Sequence, residues 1–141
     1  MLKEEIYKFA EENPHCFLAT AEGRQPHVRG VHLYRVDGAG LVFHTGRPKP
    51  LYRQLSANCN VEFCFVRFQP LAQVRIWGAV EELFDQALKE EIVESRPFLK
   101  PLVEAGGYEG LAVFAMRSGQ GSAWSMEDVM NPSPPVALFG G

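Results

Sequence analysis

Residues 43–55, FHTGRPKPLYRQL, constrain the fold more than any other stretch of this chain. They open as the end of a strand, with Leu41, Val42 and Phe43 leading in. The strand breaks at Thr45-Gly46, and Arg47, Lys49 and two prolines fill the turn. A helix comes next, because Leu51 and Leu55 stand four apart and so share a face. Lys49 precedes a proline, which pushes it out of the helical region and lets Pro50 serve as the first helical residue. The backbone N–H groups of Leu51, Tyr52 and Arg53 then lack intrahelical partners. With cations beside them they make a ready site for an anion such as phosphate. A plain strand-to-helix corner with solvated Lys and Arg is the competing reading of the same residues.

The net charge of −3 hides a segregation. Residues 24–75 hold eight basic side chains (24, 29, 35, 47, 49, 53, 67 and 75) against Asp37 and Glu62, a local charge of +6. The remainder is −9. The middle is therefore suited to an anionic ligand and the ends are not. Nucleic acid is excluded as a partner, because no single helix or loop carries a run of Lys and Arg and the whole chain is acidic. Residues 1–13 are acidic and amphipathic, unlike a signal peptide. No stretch approaches the roughly 18 apolar residues that span a bilayer, so the expectation is a cytoplasmic protein with no membrane partner. At 141 residues and 46% hydrophobic the chain suits one domain over residues 1–141.

In chain order, Leu2, Ile6, Phe9 and Ala10 make a helical stripe that Asn13-Pro14 ends. Residues 15–21 and 26–36 read as strands separated by Glu22-Gly23. Asp37-Gly38-Ala39-Gly40 is a hairpin turn into the strand at 41–45. Residues 60–68, NVEFCFVRF, are apolar on both faces from 63 to 66, as in a barrel wall or a sheet covered by a second subunit. Residues 73–83, QVRIWGAVEEL, alternate, with Val74, Ile76, Gly78 and Val80 on one side. Asp85 caps a helix whose buried stripe is Ala87, Leu88, Ile92 and Val93, and Pro97 and Pro101 cut the segment after it into short pieces. Residues 111–116, LAVFAM, form a last core strand, and the tail at about 126–141 is extended and loosely held. This is about six strands with short turns and peripheral helices, a mainly β fold better suited to a small closed or split barrel than to a doubly wound sheet. Neither a dinucleotide fingerprint nor a P-loop is present.

Cys16, Cys59 and Cys64 form no C-x-x-C pair, and their apolar settings predict reduced, buried thiols. His27 and His32 are five apart on a strand and face opposite sides, so they are no metal pair, and no metal is expected.

Four segments in order resemble the pyridoxamine 5'-phosphate oxidase-like, FMN-binding split-barrel superfamily. They are FLAT at 17–20 with PHVRGV at 26–31, VFHTGRPKPLYRQL at 42–55, NCNVEFCF at 58–65 and QVRIWGAVEEL at 73–83. The resemblance implies a six-stranded split β-barrel and a homodimer with FMN at the subunit interface. It implies that Arg29, beside Gly30 and Val31, and Lys49, beside Pro50 and Leu51, hold the phosphate, with the choice between Arg47 and Lys49 open. His44, Thr45 and Gly46 would lie along the isoalloxazine and ribityl chain. Gln73 would reach the flavin from the neighbouring chain, Arg75 follows it on the same face, and Trp124 would stack on the ring. An Arg fork and a Lys beside helix N–H groups make a sound cradle for a phosphate of nearly two charges. The vitamin oxidase carries an Arg-x-His after its C-terminal Trp. GSAWSMEDVMNPSPPVALFGG does not, so the expected substrate is a small molecule other than pyridoxamine phosphate.

Each of these residues also has a plainer reading. Arg29 and Arg75 would pair with Glu62 or Glu81 across strands. His44 would be a satisfied strand-end residue, and Trp77 and Trp124 core or interface aromatics. Two functions stay open: an FMN-dependent oxidoreductase in which the cofactor carries the chemistry, and a non-catalytic module holding FMN, haem or another anion for storage, sensing or electron relay.

Overall fold

The stripe expected near the N-terminus forms helix α1 (Lys3–Glu12), which buries Ile6, Phe9 and Ala10. The computed structural model describes residues 1–131 and 133–140; Pro132 and Gly141, both in the tail read as extended, lie outside the described residues. After α1 come β1 (His15–Glu22), β2 (Gln25–His32), β3 (Arg35–Asp37), β4 (Gly40–Gly46) and helix α2 (Pro50–Ala57). Next are β5 (Asn60–Phe68), β6 (Leu71–Ala79), β7 (Glu81–Leu83), helix α3 (Gln86–Ser95) and helix α4 (Lys100–Gly106). The chain continues with β8 (Leu111–Met116), β9 (Gly119–Ser125) and β10 (Val136–Leu138).

The fold is mainly β, with two antiparallel sheets. One has six strands in the order β10-β9-β6-β5-β1-β2, the other four in the order β3-β4-β8-β7. This corrects the count of six strands. Among the described residues no ladder joins the sheets, so they do not close into a barrel.

Two expected single strands are each divided between the sheets. The stretch 26–36 bends at Leu33 and Tyr34, where Leu33 N–H bonds Pro14 O and Tyr34 N–H bonds Val42 O. The chain thus exchanges β1 for β4 as its partner. Residues 73–83 divide at Val80, whose N–H goes to Cys59 O. No glycine or proline marks either bend, because tertiary pairing sets both.

Burial also differs from the expectation for residues 63–66. Phe63 and Phe65 are fully buried, but Cys64 and Val66 on the other face are only half-buried. The strand buried on both faces is β8. Its Ala112, Phe114 and Met116 join the core between the sheets with Phe43, Phe63 and Ile76. Its Leu111, Val113 and Ala115 pack with Ile92 and Val93 of α3.

Asp85 caps α3 through Leu88 N–H at 3.1 Å, as its position implies. Leu88, Ile92 and Val93 are buried there, whereas Ala87 is exposed. At the other end of the chain, β10 pairs with β9, and Leu138 and Phe139 are buried. Phe139 stacks on Tyr7, and its N–H bonds the Tyr7 hydroxyl, so this part of the tail is docked rather than loose. Among the described residues no helix is long and apolar enough to cross a membrane.

Candidate functional site

β2, the end of β4 and the start of α2 meet at one place, and the chain linking α3 to α4 closes the remaining side. They enclose a cleft of about 490 Å³, a size that suits a small-molecule ligand. Arg29, Gly30 and Val31 line it from β2, His44, Thr45 and Gly46 from β4, and Lys49, Pro50 and Leu51 from the start of α2. Helix α2 begins as the proline requires. Lys49 is extended at the N-cap, Pro50 enters the first turn, and no side chain caps the helix. Tyr52 N–H is taken up by Lys49 O at 3.1 Å, against the expectation that it is free, so the Leu51 N–H and the positive end of the dipole are what the helix start offers this corner.

Arg29 reaches the cleft from the inward face of β2. Its Nη1 donates to Leu18 O at 3.2 Å and to Thr20 Oγ1 at 2.9 Å. Its Nη2 donates to Gln54 Oε1, which also accepts from Thr20 Oγ1 at 2.7 Å. The three partners are neutral acceptors, and among the described residues no carboxylate pairs with Arg29. Burial alone lowers its pKa. A partly desolvated cation without a counter-ion favours an anionic ligand.

Lys49 and Arg47 point to different places. Arg47 turns away from the cleft. Its Nη2 meets Glu82 Oε2 at 2.8 Å, its Nη1 bonds the Tyr52 hydroxyl, and its Nε donates to Glu109 O at 2.6 Å. Tyr52 in turn donates to Glu82 Oε1 at 2.8 Å. The hydrogen bond to Glu82 raises the Arg47 pKa first, and the Glu82 charge adds to it. Lys49 makes no ion pair among the described residues, lines the cleft, and lays its stem over Gly46.

His44 sits at the back of the cleft with its Nε2 2.7 Å from Arg96 Nη1. Burial, then the charges of Arg96, His32 and Lys49, push its pKa down to about 4. It is therefore a neutral imidazole at neutral pH and a poor general base. The apolar wall comes from Val31, Leu51, Phe98, Leu99, Leu102 and Leu111. An anion-binding corner beside such a wall suits a ligand with a charged end and a flat, apolar body.

Sequence reasoning missed Arg96, His32 and the Phe98, Leu99 and Leu102 rim. Arg96 is the C-cap of α3, and a cation there is ordinary enough to need no ligand. The rim residues are scattered over a proline-broken segment without a strand or helix period.

Three foreseen residues are not at this cleft within one chain. Gln73 and Trp124 stand opposite each other in the β6–β9 ladder, on the outer face of the six-stranded sheet. Gln73 Oε1 accepts from Cys64 Sγ at 3.7 Å. Trp124 lines a smaller recess with Met1, Phe9 and Arg67. Arg75 pairs with Glu62 at 3.5 Å and lies 5.6 Å from the Trp77 ring centroid, as its plainer reading has it. The thiols divide too. Cys16 is buried, and burial pushes its pKa up to about 12, so it is no nucleophile. Cys64 is half-buried and Cys59 exposed, against the expectation that all three are buried.

The family described as Pyridoxamine 5'-phosphate oxidase matches residues 2–110. A pyridoxine/pyridoxamine 5'-phosphate oxidase of Anaeromyxobacter dehalogenans (strain 2CP-C) is 35% identical over 100 residues, 67% of this chain and 50% of that protein. The chain spans about half the length of the curated oxidases it matches. A NimC/NimA family protein of Clostridium acetobutylicum shares the fold with a TM-score of 0.77 and 25% identity, over 96% of this chain and 93% of that one. A heme binding protein of Mycobacterium smegmatis has a TM-score of 0.71 at 13% identity, over 99% of this chain and 58% of that one, a likeness of fold alone. The matched residues run from α1 through the β2, β4 and α2 corner and the Arg96 segment to the turn before β8, and on that match the chain belongs to the pyridoxamine 5'-phosphate oxidase family.

Proposed function

We propose that the cleft binds FMN and that the protein is an FMN-dependent oxidoreductase acting on a small molecule. The observation that carries this reading is the pair of cations without carboxylate partners, Arg29 and Lys49, beside the uncapped start of α2. Arg29, Lys49 and the Leu51 N–H at the start of α2 hold the phosphate. His44, Thr45 and Gly46 run beside the ribityl chain and ring, and Val31 and Leu51 pack on its apolar body. FMN, when bound, supplies the redox chemistry. The chain's own part is to bind, orient and shield it.

The same reading includes a split-barrel homodimer. Gln73, Arg75 and Trp124 then come to the cofactor from the neighbouring copy, across the outer face of the six-stranded sheet. Three unpaired cysteines fit a reducing compartment, and we place the protein in the cytoplasm. Haem is the weaker ligand, because it needs an axial group. His44 Nε2 is bonded to Arg96, and His15 and His32 stack on each other at 4.3 Å.

Titrating the purified protein with FMN and following flavin fluorescence tests the reading. Saturable one-per-chain binding supports it, and no binding at micromolar FMN rejects it. Bleaching of the bound flavin by NADH or NADPH, with recovery on adding an acceptor, separates an oxidoreductase from a storage or sensing module.

A further inference from the structure

Arg96 is a buried cation with no carboxylate partner among the described residues. Its guanidinium is held by Leu33 O at 2.7 Å and His32 O at 3.3 Å, with the Tyr34 ring 5.2 Å away. The remaining close contact is the 2.7 Å approach of Nη1 to His44 Nε2. A guanidinium has N–H donors and no acceptor. His44 Nε2 must therefore offer its lone pair, which leaves the imidazole proton on Nδ1. Among the described residues no protein group bonds that Nδ1, nor is it a buried atom without a partner. It keeps access to open space, and the open space His44 lines is the cleft.

We propose that Arg96 is a positioning residue that fixes His44 as the neutral Nδ1–H tautomer, so that His44 presents one permanent N–H donor to the ligand. The chain between α3 and α4 thereby governs the chemistry of a side chain on β4. The ligand atom meeting His44 must be an acceptor, such as a carbonyl oxygen or an unprotonated ring nitrogen, and a ligand N–H at that point is rejected. The tautomer stands independently of any ligand; its use against FMN rests on the proposed function. The low pKa of His44 is consistent with this arrangement.

Long-range proton–nitrogen NMR correlation of the full chain at pH 7 reads the tautomer directly. The chain has four histidines, and loss of one pattern in His44→Asn assigns the signal. The expected pattern is protonated Nδ1 and bare Nε2. Arg96→Lys, which still donates, should keep it, and Arg96→Met should release a mixture. A protonated Nε2 in the wild-type protein, or no change in a folded Arg96→Met, overturns the proposal. FMN titration gives the second arm. The Asn amide nitrogen takes the place of Nδ1 and the Gln amide nitrogen that of Nε2, so His44→Gln should bind FMN about tenfold more weakly than His44→Asn, the worth of one hydrogen bond. Equal losses in the two variants overturn the donor role. Failure of the wild-type protein to bind FMN sinks the flavin reading, while the NMR arm still decides the tautomer.

Discussion

The cleft and the outer face of the six-stranded sheet both carry cations from the basic middle of the chain, yet they treat them in opposite ways. In the cleft, Arg29 is held by three neutral acceptors and Lys49 makes no ion pair among the described residues. On the outer face Arg75 already has Glu62, and both side chains remain well hydrated at 46% and 39% exposed. The apolar groups differ in the reverse sense. The cleft wall is assembled within one chain, whereas the outer face leaves Phe17 48% and Val28 70% exposed. What distinguishes the cleft is therefore charge without a counter-ion, partly desolvated at Arg29, and positive charge counted along the chain does not show that. The outer face instead leaves apolar groups that the second copy of the proposed homodimer would cover.

The largest effect should come from breaking that outer face. Phe17→Glu puts a carboxylate among Gly30 and Cys64, its ladder neighbours. In the single chain the position is half exposed, so the fold should tolerate it. Between two copies the carboxylate would be buried without a partner, at a cost of several kcal/mol. Sedimentation should show the wild-type protein as a dimer and the variant as a monomer at the same micromolar concentration. A monomeric wild type would remove Gln73, Arg75 and Trp124 from the site.

Next comes the cleft. Arg29→Ala and Lys49→Ala should each lower FMN affinity by about 1.5–3 kcal/mol, the usual worth of a charge-assisted bond. The double variant should lose more than either, up to their sum. Arg47→Ala should leave affinity nearly unchanged and reduce stability instead, because its partners are Glu82 and Tyr52. If Arg47 mattered more than Lys49 in the titration, the division of roles between the two would be wrong.

An effect of comparable size, about 3 kcal/mol at most, separates the cleft by pH. The His44 pKa lies near 4 when folded, against 6.5 as its ordinary value. Between those values the unfolded chain takes up a proton that the folded chain refuses. The stability His44 confers is thus fully present above pH 6.5 and drains away as pH falls to about 4, by about 1.4 kcal/mol for each pH step between the two values. Urea unfolding at about pH 7 and about pH 4.5, on either side of most of that span, measures it. His44→Asn should remove that part of the slope, and an unchanged slope would place the titrating group elsewhere.

The elements with strong local signals were legible in the sequence. Pro50 after Lys49 marks the start of α2, Asp85 caps α3, and the apolar run NVEFCFVRF gives β5 its bounds, though not its single buried face. The two strands that change sheets were not. At Leu33 and Val80 the decision rests on hydrogen bonds to Pro14 and Cys59, remote in sequence and without local punctuation. The cleft was half legible for the same reason. Lys49 follows from the turn chemistry before Pro50, whereas Arg29 and His44 were expected only from the family resemblance. Arg96 acts through Leu33 O, His32 O and His44, which only the folded chain brings together. Nor did the sequence separate Arg47 from Lys49, because Glu82 is thirty-five residues away from Arg47.

The smallest effect tests the outer face from the opposite side. Arg75→Gln breaks a pair 3.5 Å apart in which both side chains are largely solvated. Water screens such a pair and holding two long side chains together costs entropy, so its worth is at most about 0.5 kcal/mol in a single chain. Urea unfolding at low protein concentration should show a change of that size, shrinking further in added salt. If a second copy covers this face, the same substitution acts in a drier setting, and its effect should grow with protein concentration. A loss above about 1 kcal/mol that appears only where the protein is dimeric would move Arg75 into the same class as Arg29, a charge its neighbours partly desolvate. A small loss at every concentration would leave the outer face solvated and confine the ligand to the cleft.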